Sequence, residues 1–127
     1  MCLVALALGA DARFPLVIAS NRDEFFKRPT ASLGWWSAQA GDAPVLAGRD
    51  LDAGGTWLGL SAHGRFALLT NVRSPVRADA QAPTRGGIVP KWLCTPESAD
   101  RFWMRTALAG HNGFNFIAAD ILGGECF

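Results

Sequence analysis

The sequence predicts an α+β fold built on antiparallel hairpins, and three observations carry that prediction. Two apolar runs, residues 2–8 and 15–20, are joined by a short polar loop containing Gly9 and Asp11, the pattern of a hairpin. A second pair, residues 56–61 and 65–71, flanks the turn Ala62-His63-Gly64. Two stretches with helix signals then separate that pair from a last strand over residues 114–119. At 127 residues the chain is one domain, long enough for a real core.

Taken in order, the first strand (residues 2–8) is apolar at every position and is predicted to be buried on both faces. The second ends in a dense polar group, Ser20 to Glu24, before Phe25-Phe26 and Arg28-Pro29. Residues 30–43 read as loop, with Trp35-Trp36 covering a core or a cleft mouth. A short strand over residues 45–48 leads into a turn with adjacent Gly54 and Gly55. The clear hairpin follows, and it too ends in a polar group, Thr70-Asn71-Val72-Arg73. Thr84 is placed to cap a short helix, although Gly86, Gly87 and Pro90 weaken it. Thr95-Pro96-Glu97 is a second helix start, predicting a helix over residues 96–108 with Phe102, Trp103 and Ala107 inward and a stop at Gly110.

Bulk properties narrow the function. Half the residues are apolar and the formal net charge is +1, which argues for neither a nucleic-acid nor an anionic-membrane partner. With 5 Trp and 8 Phe the chain is not a disordered one. Cys2, Cys94 and Cys126 are odd in number and widely spaced, so they form neither a disulfide framework nor a zinc pattern, and reduced thiols point to a cytoplasmic protein. His63 and His111 have no partners at ligand spacing, so no metal or other cofactor is predicted. No run reaches the length of a membrane span. Residues 2–10 are apolar but follow no basic segment, and a second strand comes at once, so they read as mature structure.

The candidate chemistry begins at Cys2. Cysteine is small enough at the second position for methionine aminopeptidase to remove Met1, leaving thiol and α-amine on one residue. The amine has a reference pKa of about 8 and the thiol about 8.5, so the amine can take the thiol proton near neutral pH. A plain alternative is that Cys2 simply opens a buried strand. If the first loop is centred between Asp11 and Ala12, Cys2 faces Asn21, and a shift of one pair sets it opposite Asp23. Either side chain could then hold the amine. Arg22 could offset a nearby carboxylate or hold an acid group of the substrate. Asn71, at the end of another apolar strand, could donate to the oxyanion of a tetrahedral intermediate. The ordinary alternatives are a solvated strand end for residues 21–24 and a loop-capping role for Asn71. Arg73, Arg77 and Arg85 read as a solvated set or, at most, a loose anion site.

An ordered series of motifs resembles a known family. Met1-Cys2-Leu3, Asn21-Arg22-Asp23-Glu24-Phe25-Phe26, Arg28-Pro29, Ala47-Gly48-Arg49-Asp50, Gly54-Gly55-Thr56-Trp57-Leu58-Gly59, Thr70-Asn71-Val72-Arg73, Arg85-Gly86 and Gly113-Phe114-Asn115 are similar to those of the NRDE family, the transport and Golgi organisation proteins. The resemblance implies an N-terminal-nucleophile hydrolase-like αββα sandwich, of which residues 1–127 are a single domain truncated at its C-terminus. More distantly it resembles the penicillin V acylase and bile-salt hydrolase group. By motif, that makes Cys2 the nucleophile, Asp23 the holder of its amine and Asn71 the oxyanion donor; the reading of the residues adds Arg22 as a supporting charge.

Two functions follow from the resemblance together with the residues. One is an N-terminal cysteine amidohydrolase or acyltransferase attacking the carbonyl of a small amide or thioester. The other is a non-catalytic carrier of a hydrophobic ligand, haem or an acyl lipid, in trafficking, using a Trp-lined cleft. Family members are longer, with further strands completing both sheets. A chain complete at Phe127 would expose sheet edges and an apolar face, predicting a homo-oligomer, poor solubility or inactivity.

Overall fold

A computed structural model describes residues 2–72, 75 and 78–127. Among these residues eight strands and two helices make a mixed α+β, mostly antiparallel architecture. Strands β1 (Val4–Asp11) and β2 (Phe14–Ser20) form a two-stranded sheet of their own. The remaining strands form a six-stranded meander in chain order: β3 (Thr30–Trp36), β4 (Val45–Asp50), β5 (Leu58–Ser61), β6 (Arg65–Asn71), β7 (Phe114–Asp120) and β8 (Glu125–Cys126). Between β6 and β7 the chain leaves the sheet to form a 3-10 turn (Arg85–Gly87), helix α1 (Ile88–Cys94) and helix α2 (Ala99–Ala107).

The core lies between α1 and one face of the large sheet. Ile88, Val89, Trp92 and Leu93 form a single stripe on α1, and all are buried. They join Val45 and Ala47 of β4, Ala67 and Leu69 of β6 and Ala118 of β7, alternate residues that share one face. Gly59 lets the helix approach: a Cβ there would meet Leu93 Cδ1 at 2.9 Å and Ala47 Cβ at 3.2 Å. Trp92 donates its indole N–H to the Phe66 carbonyl at 3.0 Å and meets Phe102 and Phe127 edge to face, so its polar atom is satisfied inside the core.

Several sequence expectations are corrected. The first hairpin is exposed rather than buried on both faces: Leu3 is 70% and Leu8 69% exposed. Periodicity cannot separate a strand covered on both sides from an apolar strand that nothing covers. Residues 30–36 are a strand, not loop; its Trp36 packs against the core, whereas Trp35 is exposed. Helix α2 starts after Ser98, not at Pro96. The carbonyls of Thr95 and Glu97 are taken by the Arg65 guanidinium, and Thr95 instead caps the end of α1. On α2, Phe102 and Thr106 are the buried pair, while Trp103 and Ala107 face out. The weak helix expected from a Thr84 cap to Leu93 forms in two pieces: Thr84 caps a 3-10 turn, accepting from the Gly86 N–H, and α1 follows over Ile88–Cys94. Pro90 sits in its first turn, where no N–H partner is lost.

Candidate functional site

The site lies where the first hairpin meets the large sheet. The first loop is tighter at its tip than expected: Asp11 pairs with Phe14, and a register shift follows before Leu8 pairs with Leu16. The ladder then runs to Val4 opposite Ser20. Continued, that register sets Leu3 level with Asn21 and Cys2 level with Arg22, so neither of the two anticipated facing pairs, Cys2 with Asn21 or Cys2 with Asp23, is the ladder's. Asn21 closes the ladder: its N–H donates to the Leu3 carbonyl at 3.2 Å, and its side-chain oxygen accepts the Leu3 N–H at 2.8 Å. Asn21 is thus occupied by the backbone of Leu3. Immediately beyond, the chain turns, and the Asp23 backbone N–H donates to the Cys2 sulfur at 3.3 Å.

Arg22 points to a different carboxylate from the one beside it. It reaches Asp50 Oδ2 at 2.9 Å and Glu24 Oε2 at 3.2 Å. Arg28 converges on the same Asp50 oxygen at 2.7 Å. The other Asp50 oxygen accepts the N–H groups of Asp52 and Ala53, closing the turn after β4. Burial pushes the Asp50 carboxyl up, but Arg28 and these two N–H donors outweigh it and hold it below its ordinary value. The hydrogen bond to Asp50 in turn raises the Arg28 guanidinium. Asp50 is therefore the anchor between the small hairpin's polar end and the large sheet.

A second contact fixes the opposite wall. Thr56 N–H donates to the Gly86 carbonyl at 3.0 Å. The backbones come so close that a Cβ on Gly55 would run into Gly86. The Gly54-Gly55 pair serves two needs, since Gly54 holds φ at 75° and Gly55 admits the neighbouring backbone.

These walls enclose an open cavity of about 350 Å³. Cys2, Arg22, Asp23 and Asn71 all line it, so the predicted residues come together from just before β1, just after β2 and the end of β6. Cys2 is half-buried; Asp23 and Asn71 are exposed. Met1, Arg73 and Arg77 lie outside the described residues. Trp57 is the single tryptophan among the described lining, so the cavity is not the Trp-lined cleft anticipated. Sequence reasoning gave no role to Asp50, Arg28 or Arg49, which also line it. The available signal was the run Arg49-Asp50, two opposite charges where a turn alone needs neither. His63 is exposed in its turn, and His111 Nδ1 lies 3.0 Å from the Pro83 carbonyl, away from the cavity.

The fold and site define a mixed α+β domain with the Cys2 thiol in a polar cavity lined by residues of both antiparallel sheets and their connections. Comparison with known proteins supplies the family: residues 1–126 match the family described as Transport and Golgi organisation 2. The human Transport and Golgi organization protein 2 homolog is 39% identical over 113 residues, 85% of this chain and 40% of that protein. The Drosophila melanogaster Transport and Golgi organization protein 2 is 29% identical over 136 residues, 95% of this chain and 46% of that protein. The chain belongs to the Transport and Golgi organisation 2 family, and it spans less than half the length of these relatives. Among the described residues no helix is long and apolar enough to cross a membrane.

Proposed function

We propose that this chain is the N-terminal portion of a cysteine acyl-transfer enzyme, an N-terminal-nucleophile amidohydrolase or acyltransferase of αββα type. The observation that supports it is the Cys2 sulfur accepting the Asp23 N–H at 3.3 Å, inside a cavity that also holds Asn71. A backbone N–H aimed at sulfur steadies negative charge there and fixes the direction of its lone pairs.

With Met1 removed, the Cys2 α-amine takes the thiol proton. Sulfur attacks the carbonyl carbon of an amide or thioester, and the carbonyl π electrons move to oxygen. The Asn71 side-chain amide donates to that oxyanion. Collapse reforms the carbonyl and breaks the bond to the leaving nitrogen or sulfur, which receives the proton held by the amine. Water, or a second nucleophile, then attacks the thioester on Cys2; its proton returns through the amine and the thiol is released. In this scheme Asp23 orients the amine, and Arg22 supports the site through Asp50 and Glu24. An apolar carrier is less well served, because charged and polar residues together make up most of the described walls of the cavity.

Intact mass together with thiol labelling tests the proposal. Met1 is expected to be absent, and half-buried Cys2 is expected to react with iodoacetamide at neutral pH faster than exposed Cys126. A retained methionine, or a Cys2 slower than Cys126, overturns it.

A further inference from the structure

Among the described residues four arginines line the cavity, Arg22, Arg28, Arg49 and Arg85. Two are already spent: Arg22 and Arg28 share Asp50 and Glu24. Arg49 and Arg85 are different, for neither has a carboxylate partner among the described residues. The guanidinium of Arg49 lies over the Trp36 ring, 4.8 Å from its centroid. Stacking occupies the flat face and leaves the N–H edges, none of which meets an acceptor among the described residues. Arg85 gives one N–H of Nη1 to the Gly113 carbonyl at 2.9 Å, and its remaining donors are uncommitted. Both side chains are half-buried, and both stand on fixed backbone, Arg49 in β4 and Arg85 in the 3-10 turn that Gly55 and Gly86 lock to the sheet.

We infer that Arg49 and Arg85 form an anion subsite of the cavity, so that its substrate is an acyl compound carrying a carboxylate or phosphate group. Guanidinium groups held by a stacked ring or a single carbonyl, with N–H donors left over, suit a bidentate oxyanion, and part of the ordering cost of the side chains is met before the ligand arrives. Of the cations that the sequence alone offers for an acid group, Arg22 is engaged by its two carboxylates, whereas Arg85, read from the sequence as part of a loose anion site at most, keeps donors to spare. The subsite needs only the two arginines; its place in catalysis rests on Cys2 as nucleophile.

Two measurements separate the subsite from that reading. Inorganic phosphate and succinate are titrated against the tryptophan fluorescence of the chain. A saturable response is expected, weakened at least tenfold in Arg49→Gln and in Arg85→Gln and partly kept in Arg49→Lys and Arg85→Lys. Phosphate without succinate, or the reverse, identifies which oxyanion the subsite prefers and supports it. In parallel, iodoacetate and the neutral iodoacetamide are compared at Cys2, with Cys126 in the same chain as reference. The iodoacetate-to-iodoacetamide rate ratio is expected to be at least tenfold higher at Cys2 and to fall to the Cys126 ratio in the Gln variants. Equal ratios at both thiols together with non-saturable titrations overturn the subsite, even where Cys2 reacts fast with iodoacetamide. Saturable binding lost in the Gln variants, with a Cys2 slow toward both reagents, keeps the subsite and sinks the nucleophile.

Discussion

Arg22 and Asp50 stand 28 residues apart in sequence and meet at 2.9 Å, joining the two-stranded sheet to the six-stranded one. Among the described residues no backbone ladder connects those sheets. The position of the residue 21–24 segment, and with it the Asp23 N–H on the Cys2 sulfur, therefore depends on side chains that converge on one carboxylate. Asp50 is 14% exposed at its side chain, so these are shielded, charge-assisted contacts rather than loose surface pairs.

Removing that carboxylate should loosen the site before it unfolds the core. Asp50→Asn keeps an acceptor for the turn but leaves Arg22 and Arg28 facing Glu24 alone. We expect a loss of about 2 kcal/mol, within the range for a partly buried charged hydrogen bond, read as a lower urea midpoint at unchanged m. Amide exchange should accelerate over residues 21–28 and remain slow in α1. Equal acceleration in both regions would show that Asp50 is no local anchor.

The same carboxylate predicts an acid limb. Asp50 is held below its ordinary value in the folded chain, so its contribution is fully present above the unfolded carboxylate value of about 3.9 and is lost as pH falls through the lower folded value. Asp120 behaves alike, chiefly through the Gly123 N–H. Stability should be flat from neutrality down to about pH 5 and decline below it. In Asp50→Asn the decline should be shallower, because one of the groups that drives it is gone. A slope unchanged by the substitution would remove Asp50 from the cause.

Gly55 offers a steric test of the opposite wall. Its added Cβ would collide with the Gly86 backbone, which cannot rotate aside as a side chain can. Gly55→Ala is expected to cost about 1–3 kcal/mol, the usual penalty for overpacking, whereas Gly87→Ala, with open space at its Cβ, should be near neutral. Thermal midpoints of the two variants make the comparison.

How far the sequence reveals this molecule depends on where the information is local. The hairpin of β5 and β6 is legible because apolar runs flank Ala62-His63-Gly64, and β7 because a turn at residues 111–113 releases it. Thr30 to Trp36 is not, since Gly34 and two polar residues mask a strand that is defined by pairing with β4, a long-range partner. On α2 the inward face depends on Thr106 returning its hydroxyl to the Phe102 carbonyl at 2.8 Å, a polar residue that hydrophobic periodicity passes over. At the site, Cys2, Asp23 and Asn71 are legible as polar ends of apolar strands. The part of Asp50 is hidden, because a charge beside a glycine turn looks the same whether it faces water or gathers two arginines from the segment between β2 and β3.

Asn71 allows the acyl-transfer proposal to be divided into steps. It ends β6 opposite Phe114, in the cavity but outside the Asp23–Cys2 contact. If its amide serves the oxyanion, it acts only when a carbonyl has been attacked, and alkylation of Cys2 by iodoacetamide forms no such intermediate. Asn71→Ala should therefore leave the alkylation rate of Cys2 within about twofold, while acyl transfer from an activated thioester onto Cys2 falls by roughly 10²–10³, the usual loss for one oxyanion donor. Cys2→Ser should abolish the labelling and slow the acyl transfer together. The split between the two reactions is the diagnostic: an Asn71 that merely shapes the cavity would slow both, and one that only caps its own loop would slow neither.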